Sequence, residues 1–403
     1  MSITRRVALG AALAASFALS TFGPARAADP IVIGEINSYT ALADFTQPYK
    51  KGWEMAIEEI NASGGVIGRP LKVIHRDDGG KPGNAVKIAE ELVTKDKVAF
   101  LMGTFFSHIG VAVTNYSKQK KKLFIATEPM SDAIVWSQGH DYTFRLRPST
   151  YIQSAMLAEA AAKTSAKRWA IVAPNYKYGQ DAVAAFKKVM KKLRPDVEFV
   201  NEQWPALFKI DPGATVQALA QAKPDGIYSA LFSRDLAAFV REGELRGLFT
   251  DELTMVGLLT GEPEYLDPMG AEAPKNWIVT GYPWYDIADA KHKKFIADYQ
   301  AKYGETPRMG SLIGYVSMQA AAAMIKKAGS VDQDKLIAAM KDLTFDTVVG
   351  EVSFRGLDHQ STLGTWVGRT AIVDGKPKMI DWKYANGPAY FPPDDEVKSL
   401  RGQ

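Results

Sequence analysis

The chain has 403 residues, 46% apolar and 23% charged, an ordinary balance for a globular protein and a length that suggests two domains. It contains no cysteine, which excludes disulfides and thiolate metal sites, and its five histidines (His75, His108, His140, His292, His359) share no ligand-like spacing, so neither a metal nor another cofactor is expected. The formal net charge is +4, but Arg5, Arg6 and Arg26 all lie in the first 27 residues; without them it is +1, too weak a field to recruit nucleic acid.

Those first residues read as a secretory signal peptide, residues 1–27. Arg5 and Arg6 precede an apolar run from residue 7 to 22, and Ala25-Arg26-Ala27 offers a small-residue cleavage site. The run is shorter than the roughly 20 residues that a membrane span needs. The twin arginines fit either the general secretory route or the twin-arginine route. A location outside the cytoplasm, the periplasm, is expected.

From residue 31 the pattern alternates. "IVIGEI" is strand-like, and residues 47–65 carry Trp53, Ala56, Ile57 and Ile60 at helical spacing before stopping at Asn61 and Gly64-Gly65. "LKVIHRDD", "KVAFLMG" and "LFIAT" read as strands, separated by helices in "GNAVKIAEELVTKD" and residues 107–121. After Pro148 the rhythm restarts, with helices at 151–163, 179–193, "GATVQALAQAK" and 235–246. The strands between and after them are "RWAIVAP", "VEFVNEQWP", "DGIYSALF" and "LTMVGLL". Strands alternating with helices imply βαβ units and parallel sheets, here in two successive arrays. Residues 282–403 are mixed: helices at 292–303 and 312–327, then a β-rich end in "EVSFRG", "GTWVGRTAIVDG" and "KMIDWKYA".

Ligands of open parallel sheets bind at the carboxyl ends of the strands, where helix N-termini point. The turn 103–107, "GTFFS", is at such a place, and the turns 174–179, 232–234 and 258–261 of the second array can face it across a cleft. Catalytic patterns fail. Ser117 and Lys120 match S-x-x-K but lie late in a polar helix, with no companion motif. Asp77 and Asp78, adjacent on a strand end, point to opposite faces. The lysines Lys118, Lys120, Lys121 and Lys122 at a helix end form a solvated face.

The segment "GWEMAIEEINASGGVIGRPLKVIHRDDGGKPGNAVKIAEELV", with "GTFFS", "YTFRLRPS", "APNYKYGQDA" and "YPWYD" following in order, resembles the branched-chain amino acid type of periplasmic solute-binding protein. The likeness runs through the chain beyond the signal. It implies the type I periplasmic-binding fold: an α/β protein of two Rossmann-like lobes with parallel sheets, joined by three hinge crossovers near 145–149, 279–284 and 350–355. The N-terminal lobe is then residues 28–147 plus 283–352, and the C-terminal lobe 148–282 plus 353–403. It further implies a monomeric binding protein, not an enzyme, that closes on a small carboxylate and hands it to an inner-membrane ABC permease. A periplasmic sensor feeding a membrane receptor is the alternative reading, and an enzyme a distant third.

By the same resemblance, Ser107 follows Gly103 in the G-x-x-x-S pattern that holds a ligand carboxylate, and Thr127 occupies a ligand-contacting position with Glu128 beside it. Tyr178 matches a tyrosine that closes over the ligand, and Phe232 an aromatic position. Ser107 has a plainer reading as the cap of its own helix. One departure matters: in "GLLTG", Leu259 stands where the family places a glutamate for the ligand ammonium, with Glu262 three residues on. Tyr39 and Phe45 replace a Gly-rich turn, and with Phe105, Phe106, Tyr151 and Phe232 they suggest a cleft lined by rings. The missing carboxylate favours an aromatic or otherwise hydrophobic organic acid over a branched-chain amino acid.

Overall fold

The structure, a computed structural model, describes residues 29–402; the expected signal peptide lies outside the described residues. The first sheet is built from β1 (Ile31–Asn37), α1 (Ala43–Ala62), β2 (Leu71–Asp77), α2 (Pro82–Thr94), β3 (Leu101–Gly103), α3 (Ser107–Lys120), β4 (Phe124–Ala126) and β5 (Thr143–Arg145). Its strands are all parallel in the order β2-β1-β3-β4-β5. The chain builds β2 on one side of β1 and then returns to build β3 on the other, so the strand order reverses between β1 and β3. That is where a doubly wound sheet opens a crevice.

The second sheet follows after residues 146–149. It comes from α4 (Thr150–Ala161), β6 (Arg168–Val172), α5 (Lys177–Leu193), β7 (Glu198–Gln203), α6 (Pro212–Gln221), β8 (Gly226–Ser229), α7 (Ser233–Leu245), β9 (Thr254–Gly261), α8 (Pro263–Leu266) and β10 (Ile278–Gly281). The strand order reverses again between β6 and β8. The chain then returns to the first sheet's side with α9 (Ala290–Tyr303), α10 (Met309–Ala328) and α11 (Gln333–Met340), and with the two-stranded ribbon β11 (Thr344–Thr347) and β12 (Gly350–Ser353). It re-enters the second sheet as β13 (Thr365–Val373), antiparallel to β10, and β14 (Lys376–Ala385), and ends in α12 (Asp394–Arg401).

The expected two-lobe α/β architecture is thus the observed one. What assigns α10 to the first lobe is its packing on α1. Phe45, Tyr49 and Trp53, four residues apart, present one buried face of α1. Facing them, α10 brings Gly310 and Gly314, where an added Cβ would lie 2.5 Å from the Phe45 carbonyl oxygen and 2.0 Å from that of Tyr49. Glycine is what permits this backbone-to-backbone approach. The segments expected as strands include the short β3, β4 and β8, three or four residues each. The three-residue β5, the four-residue β10 and β11 and the short helices α8, α11 and α12 go beyond the sequence reading, because each is too short to show a clear period.

Candidate functional site

The carboxyl-terminal strand ends of the two sheets face each other, and a narrow, nearly closed cavity of about 10 Å³ lies between them. It is lined by Phe105, Ser107, Glu128, Met130 and Arg147 from the ends of β3, β4 and β5, and by Tyr176, Tyr178, Phe232 and Leu259 from the ends of β6 and β8 and from β9. A larger hollow of about 670 Å³ borders α6 and residues 246–253, but it opens at the amino-terminal ends of β8 and β9, away from either reversal point.

The lobes are in contact around this cavity. Phe105 meets Phe232 with ring centroids 6.2 Å apart, and Phe106 meets Phe208 edge-on at 6.0 Å. Ser131 Oγ donates to Asp181 Oδ2 at 2.5 Å, beside the Lys177 ammonium on the other carboxylate oxygen. The Arg147 guanidinium pairs with Glu262, both nearly fully buried, and lies 5.1 Å over the Phe45 ring. The molecule is therefore in a closed arrangement.

Ser107 is not the cap of its helix. The cap position belongs to Phe106, whose side chain bonds nothing there, and Ser107 is the first helical residue. Its Oγ accepts the Ser131 backbone N–H at 3.1 Å, which leaves its own O–H free to donate into the cavity. The turn before it is tight: Gly103 has φ +106°, and a Cβ there would lie 2.4 Å from the Ile36 carbonyl oxygen and 2.8 Å from Glu35 Oε1. Across the cavity the Tyr178 hydroxyl is buried and has no partner among the described residues. Leu259 holds φ +68° inside β9, a conformation that a side-chain-bearing residue adopts at a cost of order 1–3 kcal/mol and that tends to concentrate at functional sites.

Behind the first lobe's wall lies a group of buried acids. Asn37 Nδ2 donates to Glu128 Oε1 at 2.7 Å, Ser38 Oγ to Asp78 Oδ1 at 2.7 Å, and the Tyr39 hydroxyl to Glu35 Oε2 at 2.8 Å. Burial pushes the Glu35 carboxyl up to about 8 and Asp78 up to about 6, and raises Glu128 well above the usual carboxylate range. Asp77 and Asp78 diverge, the first exposed on Gly79 N and the second buried on Gly80 N, so they do not converge on a common point.

Five of the eight residues singled out in the sequence, Ser107, Glu128, Tyr178, Phe232 and Leu259, line the cavity together. Three stand apart. The Thr127 hydroxyl is taken up by Tyr49 Oη at 3.0 Å inside the first lobe. Tyr39 turns back to Glu35 and lies edge-on to His75 at 5.7 Å. Phe106 sits outside the cavity among His108, Tyr176 and Phe208, sealing the seam between lobes. Tyr151 also lies elsewhere, against Trp136. Arg147, the cavity's one lining cation, was given no role from the sequence. Its "YTFRLRPS" context marked a lobe crossing, and no local pattern shows that an arginine two residues past a short strand turns inward.

Against known proteins, the profile of the periplasmic binding protein family matches residues 30–376. A leucine-, isoleucine-, valine-, threonine- and alanine-binding protein of Pseudomonas aeruginosa is 27% identical over 349 residues, 85% of this chain and 90% of that one. A solute-binding protein of an ABC transporter from Rhodopseudomonas palustris BisB5, solved in complex with 3,4-dihydroxybenzoic acid, superposes with a TM-score of 0.79 at 23% identity, over 89% of this chain and 98% of that one. A closed leucine-, isoleucine-, valine-, threonine- and alanine-binding protein from Brucella ovis gives 0.79 at 19% identity, over 90% and 97%. These two likenesses establish the shared fold.

Proposed function

The chain belongs to the periplasmic binding protein family, and on that premise we propose that it is the solute-binding component of an ABC importer, closing on a small carboxylate with an aromatic or otherwise hydrophobic body. The lobes, residues 28–147 with 283–352 and residues 148–282 with 353–403, act as the two jaws of a monomer. The exported protein, its signal removed after residue 27, delivers the ligand to an inner-membrane permease.

The observation that carries this reading is the composition of the cavity wall. Phe105, Phe232, Leu259 and Met130 supply an apolar sleeve, while Ser107, Tyr178 and Arg147 supply hydrogen-bond donors. A helix N-terminus, a hydroxyl and a guanidinium are what a carboxylate requires. Solved relatives of this fold bound to 3,4-dihydroxybenzoic acid and p-hydroxybenzoic acid agree with that ligand class.

A branched-chain amino acid is the second reading. It is favoured by the Pseudomonas relative's name and by Glu128, a cavity-lining residue with a carboxyl oxygen that has no partner among the described residues. A thermal-shift panel setting benzoate- and cinnamate-type acids against leucine, isoleucine and valine decides between them. A ligand that binds only the folded state raises the melting temperature. An upward shift with the aromatic acids is expected; a shift with the amino acids alone assigns the protein to the second reading.

A further inference from the structure

Resting on the cleft's reading as a carboxylate site, we infer that Glu128 stands in the liganded cleft as a neutral carboxyl group whose O–H donates a hydrogen bond to the ligand's carboxylate. The charge arrangement around it leads there. Glu128 is 1% exposed, and every titratable or charged neighbour can be placed: Glu35 on β1 and Asp78 after β2 on the acid side, Tyr49 on α1, Arg147 after β5, and Tyr178 and Glu262 from the second lobe. Arg147 is the one cation among them, and its guanidinium is already engaged by Glu262. An ionised Glu128 would face two further buried carboxyl groups with no counter-cation of its own. Burial of an uncompensated charge is resolved by taking up a proton.

The hydrogen bonds say where that proton sits. Asn37 Nδ2 donates to Oε1, which makes Oε1 the carbonyl oxygen, and Oε2 has no partner among the described residues. A protonated carboxyl offers one O–H donor, here on the oxygen that Asn37 leaves free in a residue lining the cavity. The Ser107 and Tyr178 hydroxyls line the same cavity with O–H groups free to donate, so its wall offers several donors to one anion. A carboxylic acid kept neutral by an apolar site so that it can donate is known chemistry in an oxyanion hole. The consequence is selectivity. A plain carboxylate completes the donor set, whereas an amino acid adds an ammonium that needs Glu128 ionised.

The test uses the mature protein, benzoate and cinnamate, and calorimetry between pH 6 and 9. Glu128→Gln keeps the shape and a donor but can never carry charge. Its affinity for the acids is expected within about fivefold of wild type at pH 6 and flat across the range. Glu128→Leu, which removes the donor, is expected to lose about tenfold or more. In wild type, binding measured in two buffers of different ionisation enthalpy is expected to release no proton, and affinity does not rise with pH. A greater loss in Glu128→Gln, an unimpaired Glu128→Leu, or proton release on binding each overturns the inference. Wild type binding neither acid at any pH is a different failure: it removes the carboxylate-site reading itself.

Discussion

Arg147, just past β5, and Glu262, at the start of α8, form a buried ion pair that joins the two lobes at the wall of the cavity. Removing one partner leaves the other buried and uncompensated, which costs about 3–5 kcal/mol, whereas replacing both is far milder. Arg147→Met and Glu262→Gln are therefore each expected to lower the stability of the closed form by that order, measured by urea unfolding with saturating ligand, and the double variant to regain most of it. Additive losses in the double variant would show that the two side chains do not depend on each other.

On the proposed carboxylate reading, Ser107→Ala removes a donor to the ligand; it also removes the acceptor of the Ser131 backbone N–H. Affinity for the acid is expected to fall by about 1.5–3 kcal/mol, the worth of a hydrogen bond to a charged group. Stability without ligand is also expected to drop, by about 1–3 kcal/mol, because a buried N–H loses its partner. Calorimetry with unchanged affinity would confine Ser107 to supporting the 131 loop.

The two-lobe fold was legible because strands such as β1 and β9 and helices such as α1 and α7 are long enough to carry a period. Ser107, Tyr178, Phe232 and Leu259 were legible through the family resemblance, because the motifs that carry it, such as "GTFFS" and "APNYKYGQDA", fix their positions relative to recognisable strands. The rest depended on partners distant in the chain. Tyr39 faces inward because Glu35, fully buried, needs a donor. Thr127 is consumed by Tyr49, 78 residues away in sequence. Arg147 turns into the cavity because Glu262 draws it there from the other lobe. None of these pairings leaves a trace in local composition.

Leu259→Glu places a carboxylate at the cavity wall. It repels an anionic ligand and offers an ammonium a partner, an interaction worth about 1.5–3 kcal/mol. The ratio of leucine to benzoate affinity is expected to move toward leucine by that order, measured by competitive calorimetry. A ratio that stays put would mean that Leu259 does not face the ligand's amino position.

The buried acids make stability fall with pH. Glu35, lifted by burial from 4.5 to about 8, keeps its proton in the folded state after the unfolded chain has lost it, so stability present at low pH is lost as pH rises between those values. Glu264, also pushed up to about 8 by burial, acts the same way. His292 and His359, pushed down to about 4 by burial, act oppositely, but only up to 6.5. From pH 6.5 to 8 the melting temperature is expected to decline, with each glutamate contributing at most about 1.4 kcal/mol per pH unit. Glu35→Gln should flatten part of that decline; an unaltered slope would mean that Glu35 titrates normally.

The central claim is that the lobes are jaws drawn together by a ligand that touches both. A ligand binding the closed form shifts the population toward it. Small-angle X-ray scattering of the mature protein, with and without saturating amounts of the acid that gives the largest thermal shift, measures this directly. The account predicts an open ensemble without ligand and a smaller radius of gyration with it, the bound profile matching the closed structure in which Phe105 meets Phe232. Identical profiles at saturation would contradict it.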